Sequence, residues 1–255
     1  MPDALCISSL LGLPLVKPGD NIVEIIIQAL DRQNIQLQDK DILVITQKII
    51  SKAEDRYLRL RDVTPSEQAL RLGHETLKDP RLVEVILSES TEVVRHRKGV
   101  LITAHRTGSV MANAGVDQSN VPQDENDDLV LMLPVSPDGS AQQIKEAFDS
   151  RFGVSIGIVI NDSLGRPWRN GVVGVALGAA GIPSLRSLIG KPDLFGRKMR
   201  TTESAFADQV ATAATLVMGE SDEGIPAVHI RGLSWQEPER PAQDLVRAAH
   251  EDMFR

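Results

Sequence analysis

Two short stretches place oxygen-bearing side chains directly after apolar, β-like runs, at residues 113–120 and 161–166. The first stretch contains Asp117, and the second contains Asp162 followed by Ser163. Hard divalent cations such as magnesium or manganese bind carboxylates together with the oxygens of a bound phosphate. Asp117 and Asp162 are therefore candidate metal ligands in a site for a phosphate-bearing substrate. Either stretch alone could be an ordinary polar turn, whereas a two-metal clamp would explain both.

Three further segments carry side chains that suit a phosphate or a metal. Residues 219–224 hold three carboxylates between two glycines, where Glu220 could reach a cation, although the segment also suits a simple helix stop. Lys52 could direct its ammonium group at phosphates or face the solvent. Residues 165–171 combine two arginines with Trp168. That mixture can bind an anion and stack a planar ring, or form a plain surface loop.

Several common catalytic signatures are missing from the sequence. It has no GxxxxGK[ST] phosphate loop, no GxGxxG dinucleotide turn, no GxSxG elbow and no HExxH zinc helix. Its five histidines are scattered, so we expect no imidazole metal site. A nucleotide would therefore be bound by an uncommon arrangement. The acidic run at 124–128 and the basic run at 95–98 are interpreted as solvated faces.

The composition is typical of a globular enzyme or binding protein. The chain has 255 residues, of which 42% are hydrophobic and 25% charged, with a net charge of −7. General nucleic-acid binding is not expected, because it needs a basic footprint. Cys6 is the single cysteine, which excludes an internal disulfide and a cysteine zinc site. No run of about eighteen apolar residues and no secretory leader are visible, so we expect a cytoplasmic protein that makes no membrane contact.

Hydrophobic periodicity predicts the elements that must position these residues. Helices are predicted at 21–34, from a capping box at Thr64, at 80–88, from a capping box at Ser140 to about Phe152, at 205–218, and in the C-terminal tail. Strands are predicted at 41–46, 99–104, 108–112, 129–133, 154–160 and 227–230. The strand at 154–160 would deliver Asp162. Glycines between 171 and 181 indicate close backbone packing or repeated turns.

The order of these elements predicts the fold class. Strands and helices are mixed without a regular βαβ alternation, so an α+β fold with mixed or antiparallel sheets and flanking helices is expected. The whole chain, 1–255, is predicted to form one unit, with two intimately associated subdomains as the alternative. The best candidate for a boundary is the segment 134–139.

Taken together in this order, the segments resemble one family, the coenzyme F-420-0:L-glutamate ligases (gamma-glutamyl ligases). The similarity runs from about Gly12 to Leu233, and the matching segments are 12–20, 50–54, 113–120, 162–166, 171–174, 193–197 and 218–228. The resemblance implies an α+β fold and an intertwined homodimer. Some bacterial relatives also carry a C-terminal nitroreductase-like domain, which we do not expect in a chain of 255 residues.

The resemblance implies a GTP-dependent ligase with two divalent cations, magnesium or manganese, and with a monovalent cation as a further option. Its substrates would be L-glutamate and the deazaflavin coenzyme F-420-0. The coenzyme's terminal carboxylate would be activated as an acyl phosphate, GDP and phosphate would be released, and later glutamates would be added through gamma linkages. The alternatives are a related amide ligase with a different amino acid or acceptor, and a non-catalytic protein that binds GTP and metal.

The resemblance also assigns roles by position. Asp117 and Asp162 resemble ligands of the first metal, Ser163 and Glu220 resemble ligands of the second, and Lys52 joins the two aspartates as a catalytic residue. Positions that match GTP contacts are Leu13, Pro14, Leu15, Val16, Gln47, Lys48, Lys52, Asn120, Met218, Gly219, Glu220, Ser221, Asp222, Glu223, Gly224 and Ile225.

The chain departs from some members of the family at two places. Some members have Ser-Thr where this chain has Gln47-Lys48, so its nucleotide contacts, and with them its base preference, need not match theirs. Others have Thr in place of Ser163, which keeps the hydroxyl and therefore the implied metal role. Arg166 and Arg169 are candidates for holding the carboxylates of the coenzyme or of glutamate.

Overall fold

The computed structural model describes residues 4–122 and 128–254. Strands β1 to β12 span Cys6–Ser9, Ile42–Thr46, Tyr57–Arg59, Ser90–Arg97, Val100–His105, Val110–Ala112, Leu129–Leu131, Gly157–Arg166, Arg169–Ala180, Leu185–Ser187, Glu203–Ala205 and Ala227–Arg231. Helices α1 to α6 span Ile22–Arg32, Gln47–Ala53, Glu67–Thr76, Pro80–Ser88, Pro137–Phe152 and Phe206–Met218. Short 3-10 helices cover Leu60–Asp62, Asn113–Gly115, Ala242–Leu245 and Ala249–Glu251.

A five-stranded sheet forms the centre of the molecule, in the order β1-β12-β2-β8-β9. Its one parallel pair is β2 and β8, whereas the remaining neighbours are antiparallel. Smaller sheets join β4 to β5 and β6, β3 to β7, and β10 to β11. This mixture of sheets and helices confirms the α+β class. No helix in the two described ranges is long and apolar enough to cross a membrane.

Both faces of the central sheet are buried where β2 and the first four residues of β8 run side by side, because these segments are almost wholly apolar. On one face, α1 and α5 bury Ile26, Leu30 and Phe148 against β2 and β8. On the opposite face, α6 packs its small side chains, among them Ala211 and Ala214, against the sheet. The resulting layers hold β2 and β8 rigidly, and these two strands lead into the candidate site.

A second core lies beside this sheet and supports the segment that carries Asp117. Helices α3 and α4 pack there against β5 and the segment around β7, burying Leu72, Ile86, Leu101 and Val130. Asp117 follows β6 and pairs with Leu131 through an antiparallel backbone bridge. The second core therefore determines where the Asp117 carboxylate meets the central sheet.

The glycines of β9 allow the close packing that the sequence predicted. A Cβ atom on Gly174 would lie 2.6 Å from the carbonyl oxygen of Ala211 in α6. A Cβ atom on Gly178 would overlap the carbonyl oxygen of Pro137 at the start of α5. Helices on both faces thus approach the backbone of β9 at positions where only glycine fits.

Gly178→Ala should lower the free energy of unfolding by about 2 kcal/mol, because the added methyl group must displace the first turn of α5. Gly165→Ala is the matched control, since a Cβ atom there meets nothing within 4 Å. Urea denaturation of both variants measures the difference. Equal stability of the two variants would contradict the close packing at Gly178.

Two helices begin at residues other than those predicted, because a neighbouring serine supplies the cap. Helix α3 begins at Glu67, and the hydroxyl of Ser66 accepts the N–H of Ala69, so the prediction of a cap at Thr64 was wrong by two residues. Helix α5 begins at Pro137 with Ser136 as its cap, before the predicted cap at Ser140. Ser140 instead donates its hydroxyl to Glu54, 2.7 Å away.

The end of β8 and the form of the tail also differ from prediction, and the boundary segment can be placed in the structure. Strand β8 continues through Asp162 to Arg166 because it pairs with β9, so Asp162 lies within a strand rather than after it. The described tail forms two short 3-10 helices instead of the predicted α-helix. The predicted boundary segment overlaps the first turn of α5, which begins at Pro137.

The two charged runs have different outcomes. The basic run at 95–98 is exposed, as predicted, and three of its residues lie on β4. Of the acidic run at 124–128, Asp128 forms an ion pair with Arg81 at 2.9 Å. The other four residues lie outside the described residues.

Candidate functional site

The site is built at the ends of the parallel pair, β2 and β8. Thr46, the last residue of β2, pairs with Asn161, so Asp162 extends just beyond the end of β2. Helix α2 begins there without an intervening loop. Lys48 and Lys52 are four residues apart on α2 and therefore share one face of it. Two ammonium groups and one carboxylate are thereby directed to the same edge of the sheet.

The segment around Asp117 reaches the same place from the second core. Asn113 and Ala114 adopt left-handed backbone conformations, with φ of 55° and 50°, and turn the chain after β6. The backbone N–H of Asp117 then donates to Leu131 at 3.0 Å, and its carbonyl accepts from Leu131 at 2.9 Å. These contacts hold the carboxylate where the ammonium group of Lys48 reaches it at 2.8 Å.

The segment after Asp117 is fastened to both α2 and the segment 219–224. Ser119 accepts from Lys48 through its hydroxyl at 2.8 Å and through its carbonyl at 3.1 Å. The carbonyl of Asn120 accepts from Lys52 at 2.7 Å. The Asn120 amide donates to the carbonyl of Ser221 at 3.2 Å. These hydrogen bonds bring together three segments that are distant in the sequence.

The segment 219–224 follows α6 and is organised by one of its own carboxylates. Glu223 accepts the backbone N–H of Ser221 at 2.8 Å, and such backbone hydrogen bonds lower the pKa of Glu223. Glu220 is left to accept the hydroxyl of Ser163 at 2.6 Å. Two of the predicted metal ligands, Ser163 and Glu220, are thus in direct contact although 57 residues separate them.

The two aspartates of the site have opposite electrostatic environments. Burial raises the pKa of Asp162 to about 6, with a smaller upward contribution from the charge of Asp117, against the lowering effects of the Ser163 backbone and the charge of Lys48. Burial also acts on Asp117, but hydrogen bonds from Lys48 and Ser119 overcome it and lower the pKa of Asp117. Asp162 is therefore a carboxylate whose charge the surrounding protein leaves poorly compensated.

Burial, followed by the positive charge of Lys48, lowers the pKa of Lys52. Two ammonium groups one helical turn apart repel each other, and a polyanion placed between them would relieve that repulsion. The pair is thus suited to a di- or triphosphate.

Hard oxygen donors are present at the site, but they are not preassembled into one cluster. Within the described ranges, no three His, Cys, Asp or Glu side chains converge as a group that could hold a metal. The charge of Asp117 contributes to raising the pKa of Asp162, and Ser163 contacts Glu220. The carboxylate of Asp162 is the feature that best suits a metal, because a divalent cation would compensate its charge. Magnesium and manganese would complete their coordination with water and substrate phosphates.

The other residues that match GTP contacts lie around this centre with different exposure. Residues 13–16 belong to a segment held at one end by Leu10, whose N–H donates to Ala227, and at the other by Gly19, whose N–H donates to Ala53. Within it Leu13 is partly buried, Pro14 and Leu15 are exposed, and Val16 is buried. In the segment after α6, Met218 is buried, Gly219 and Ile225 are partly buried, and Ser221, Asp222, Glu223 and Gly224 are exposed.

Gln47 is almost fully buried beneath the site, with 2% of its surface exposed. Its side-chain oxygen accepts the hydroxyl of Ser51 at 2.9 Å. Its side chain also hydrogen-bonds to Asp162, where it lowers the pKa slightly against the effect of burial. Gln47 therefore supports Asp162 from below.

Sequence reasoning did not single out Ser119, which contacts both Lys48 and Asp117. Its backbone N–H donates to Asp117 at 2.7 Å, and its hydroxyl donates to the other carboxylate oxygen at 2.8 Å. An aspartate followed two residues later by serine is a known local side-chain-to-backbone pattern, and that spacing is the signal that could have identified it.

The β8–β9 hairpin carries the arginine and tryptophan side chains on its tip. Residues 166–170 line a pocket of about 660 Å³. Trp168 is 88% exposed, and its ring centroid lies 6.1 Å from that of Phe254. Arg166 follows Asp162 by four positions along the strand, a distance of about 13 Å at the usual rise of a strand. The tip is therefore within reach of a substrate whose reactive end lies at Asp162.

Comparison with known proteins identifies the family of the chain. The sequence model of the family described as F420-0:Gamma-glutamyl ligase matches residues 11–232. A protein from Methanothermobacter thermautotrophicus named coenzyme F420:L-glutamate ligase is 44% identical over 246 residues, covering 96% of each chain. Proteins of the same name from Methanocaldococcus jannaschii and Archaeoglobus fulgidus are 42% and 38% identical, covering 96% of this chain and 95% and 94% of their own. The chain therefore belongs to the F420-0:gamma-glutamyl ligase family.

Proposed function

We propose that this chain is a GTP-dependent ligase that joins L-glutamate to the terminal carboxylate of coenzyme F420-0 and then adds further glutamates through gamma linkages. Family membership supports the ligase activity, because relatives that match nearly the full chain are named coenzyme F420:L-glutamate ligases. The single structural observation that carries the proposal is the convergence of Lys48, Lys52, Asp117 and Asp162 at the ends of β2 and β8.

A carboxylate is a poor electrophile, so amide formation requires its activation. A carboxylate oxygen of the acceptor attacks the γ-phosphorus of GTP, and GDP departs as an acyl phosphate forms. The amine nitrogen of glutamate then attacks the acyl carbon, loses a proton, and expels phosphate. The protein contributes mainly positioning and charge neutralisation to such transfers.

Three anions must share the site: the triphosphate, the acceptor carboxylate and glutamate. Lys48 and Lys52 supply positive charge from α2. Asp117, Asp162, Ser163 and Glu220 would hold two divalent cations, which supply further charge neutralisation on the phosphates when bound. This arrangement accounts for an acidic chain, of net charge −7, that acts on acidic substrates.

The hairpin tip suits the remaining parts of the substrates. Guanidinium groups bind carboxylates with two parallel hydrogen bonds, so Arg166 and Arg169 would hold the carboxylates of the coenzyme or of glutamate. The exposed ring of Trp168 offers a face on which a planar deazaflavin ring could stack.

A homodimer is part of the proposal. Between β10 and β11, Leu194 is 100% exposed and Phe195 is 86% exposed. Apolar side chains exposed together commonly mark a surface that another chain covers. Light scattering at micromolar concentration should give twice the monomer mass, and a monomeric mass would contradict the dimer.

The test is direct. Purified protein is incubated with GTP, manganese or magnesium, L-glutamate and F420-0, and the coenzyme is followed by mass spectrometry. Successive glutamyl additions with formation of GDP are expected. If the protein instead joins a different amino acid, or uses a different acceptor supplied in place of F420-0, it is a related amide ligase. GTP binding without any mass change would favour a non-catalytic binding protein and reject the ligase.

Lys52→Met should raise the KM for GTP about tenfold, because a charge-assisted hydrogen bond to a phosphate is lost. The KM for glutamate should change little. Lys40→Met is the control, since Lys40 contacts the carbonyl of Trp235 elsewhere in the molecule. Initial rates at varied GTP measure the effect. An unchanged KM for GTP in Lys52→Met would remove this residue from the nucleotide site.

A further inference from the structure

Lys48 occupies a position in which its ammonium group is surrounded by oxygen atoms. The nitrogen lies 2.8 Å from a carboxylate oxygen of Asp117, 2.8 Å from the hydroxyl of Ser119 and 3.1 Å from the carbonyl of Ser119. An ammonium group has three hydrogens to donate, so these contacts can satisfy all of them. The side chain is 19% exposed and is therefore largely enclosed.

These three acceptors are of the kinds that also bind hard cations. Carboxylate, hydroxyl and carbonyl oxygens are typical ligands of divalent metals in proteins. The second carboxylate oxygen of Asp117 accepts the backbone N–H of Ser119 at 2.7 Å. Every oxygen of this carboxylate is thus engaged within the protein, and a metal ion that approaches the first oxygen must compete with Lys48.

We propose that the ammonium group of Lys48 is a resident cation that holds the metal-binding oxygen of Asp117 in the nucleotide-free protein and yields it when a divalent cation and a nucleotide bind together. This inference rests on the proposed function, in which Asp117 is a metal ligand. It assigns Lys48 as a positioning residue that makes metal binding depend on the nucleotide.

A bound nucleotide would give the ammonium group of Lys48 new hydrogen-bond acceptors. Lys52 lies on the same face of α2 and already directs its ammonium group at the segment after Asp117, through the carbonyl of Asn120. Phosphate oxygens bound between these two lysines would replace the acceptors that Lys48 loses. Without a nucleotide, release of the Asp117 oxygen would leave the charge of Lys48 partly enclosed and without its carboxylate partner, which opposes metal binding.

Reciprocal coupling follows from thermodynamic linkage: if a nucleotide tightens metal binding, the metal tightens nucleotide binding by the same factor. Removing the resident cation should therefore do two things. It should tighten metal binding in the absence of nucleotide, and it should weaken the dependence of metal binding on nucleotide.

The experiment titrates the full-length protein with manganese and measures free manganese by electron paramagnetic resonance, with and without GDP. Lys48→Met is expected to bind manganese about tenfold more tightly than the original chain when GDP is absent. Addition of GDP should tighten manganese binding less in Lys48→Met than in the original chain. Lys48→Arg retains the charge and should preserve the original affinity.

Two further variants separate this role from a general charge effect. Lys52→Met removes the same charge one helical turn away, where no bond to Asp117 exists, and should tighten manganese binding less than about threefold. In an Asp117→Asn background, Lys48→Met should no longer tighten binding. Thermal unfolding of each variant verifies that the fold is retained.

Equal manganese affinity in Lys48→Met and the original chain would overturn the inference and leave the ligase proposal unaffected. An equal gain in manganese affinity in Lys52→Met would also overturn it. So would a gain from Lys48→Met that persists in the Asp117→Asn background. If Asp117→Asn alone leaves manganese binding unchanged, Asp117 is not a metal ligand and the inference fails with that assignment. The glutamylation assay decides the proposed function separately.

Discussion

Asp162→Asn is expected to reduce the rate of glutamylation by at least about a thousandfold, while the protein remains folded. The substitution keeps the shape of the side chain and removes the negative charge that a divalent cation would need beside the transferred phosphate. Rates of coenzyme glutamylation at saturating GTP and manganese measure the loss. A variant that turns over at close to the original rate would contradict a role for Asp162 in catalysis.

The same substitution should stabilise the metal-free protein. Burial raises the pKa of Asp162 from 3.8 to about 6, so above pH 6 the folded state bears an ionised carboxylate that the unfolded state accommodates more easily. The resulting loss of folding stability develops as the pH rises from about 4 to about 6 and is complete above that range. Because water still reaches this partly buried group, we estimate the penalty at about 2 kcal/mol. Urea unfolding should show a higher free energy of unfolding for Asp162→Asn than for the original chain at pH 7.5, but not at pH 4.

Asp117→Asn is the matched comparison. The pKa of Asp117 is lowered, because hydrogen bonds from Lys48 and Ser119 outweigh the effect of burial. Its ionised form therefore stabilises the fold, and Asp117→Asn should lose both activity and stability. Two aspartates of one site would then respond in opposite directions to the same substitution. Equal changes in their unfolding free energies would contradict the environments described for them.

The elements that sequence predicts well are those whose signals are local. Helix α4 begins at Pro80 after Asp79, whose side chain accepts the N–H of Arg81, and it ends at Ser88 as predicted. Strand β2 is a continuous apolar run that is recognisable without its neighbours. In such segments the cap or the hydrophobic pattern lies entirely within the segment itself.

Elements that depend on distant contacts were missed or shortened. Helix α2 has seven residues, too few for a clear period, and it is anchored by Ile49 and Ile50 in the main core. Strand β8 continues past Asn161 only because β9 pairs with it residue by residue. Neither partner is visible in the local sequence, so local patterns alone place the ends of these elements wrongly.

The candidate site shows the same division. Residue types identify Asp117 and Asp162 as candidate metal ligands. The order of the motifs along the chain resembles the family's pattern. The ion pair between Lys48 and Asp117 joins residues 69 positions apart, so no local pattern in the sequence predicts it. The raised pKa of Asp162 depends on what buries it. These properties are tertiary, and they are the ones that the structure adds.

Glu89→Gln should destabilise the protein by about 3 kcal/mol, because it removes a buried carboxylate that the partly buried Arg56 and the more exposed Arg106 share as their anion. Glu89 directly follows α4 as its C-terminal cap and accepts from Arg56 at 2.9 Å and Arg106 at 3.2 Å, with His105 at 3.4 Å. Arg56 also donates to the carbonyl of Leu133 at 2.9 Å. The carboxylate thus joins α4, β5 and the segment that leads to α5. Urea unfolding at pH 7 measures the loss.

The pH dependence gives this prediction a second readout. Burial alone would raise the pKa of Glu89, but hydrogen bonds from His105, Arg56 and Arg106 lower it from 4.5 to about 2. The stability that Glu89 contributes is therefore complete above pH 4.5 and is lost as the pH falls through 2. The difference between the original chain and Glu89→Gln should accordingly shrink between pH 4.5 and pH 2.

An exposed glutamate provides the control for this effect. Glu75 pairs with His96 at 2.8 Å, but its side chain is 42% exposed, so Glu75→Gln should change stability by less than about 0.5 kcal/mol. Similar losses in Glu75→Gln and Glu89→Gln would contradict the role assigned to the buried network. Glu89 also contrasts with Asp162, since arginine side chains donate hydrogen bonds to Glu89, whereas Asp162 is hydrogen-bonded by the Ser163 backbone and by the neutral Gln47. Only the second should gain stability when its charge is removed, which is the behaviour expected of a carboxylate retained for binding a cation.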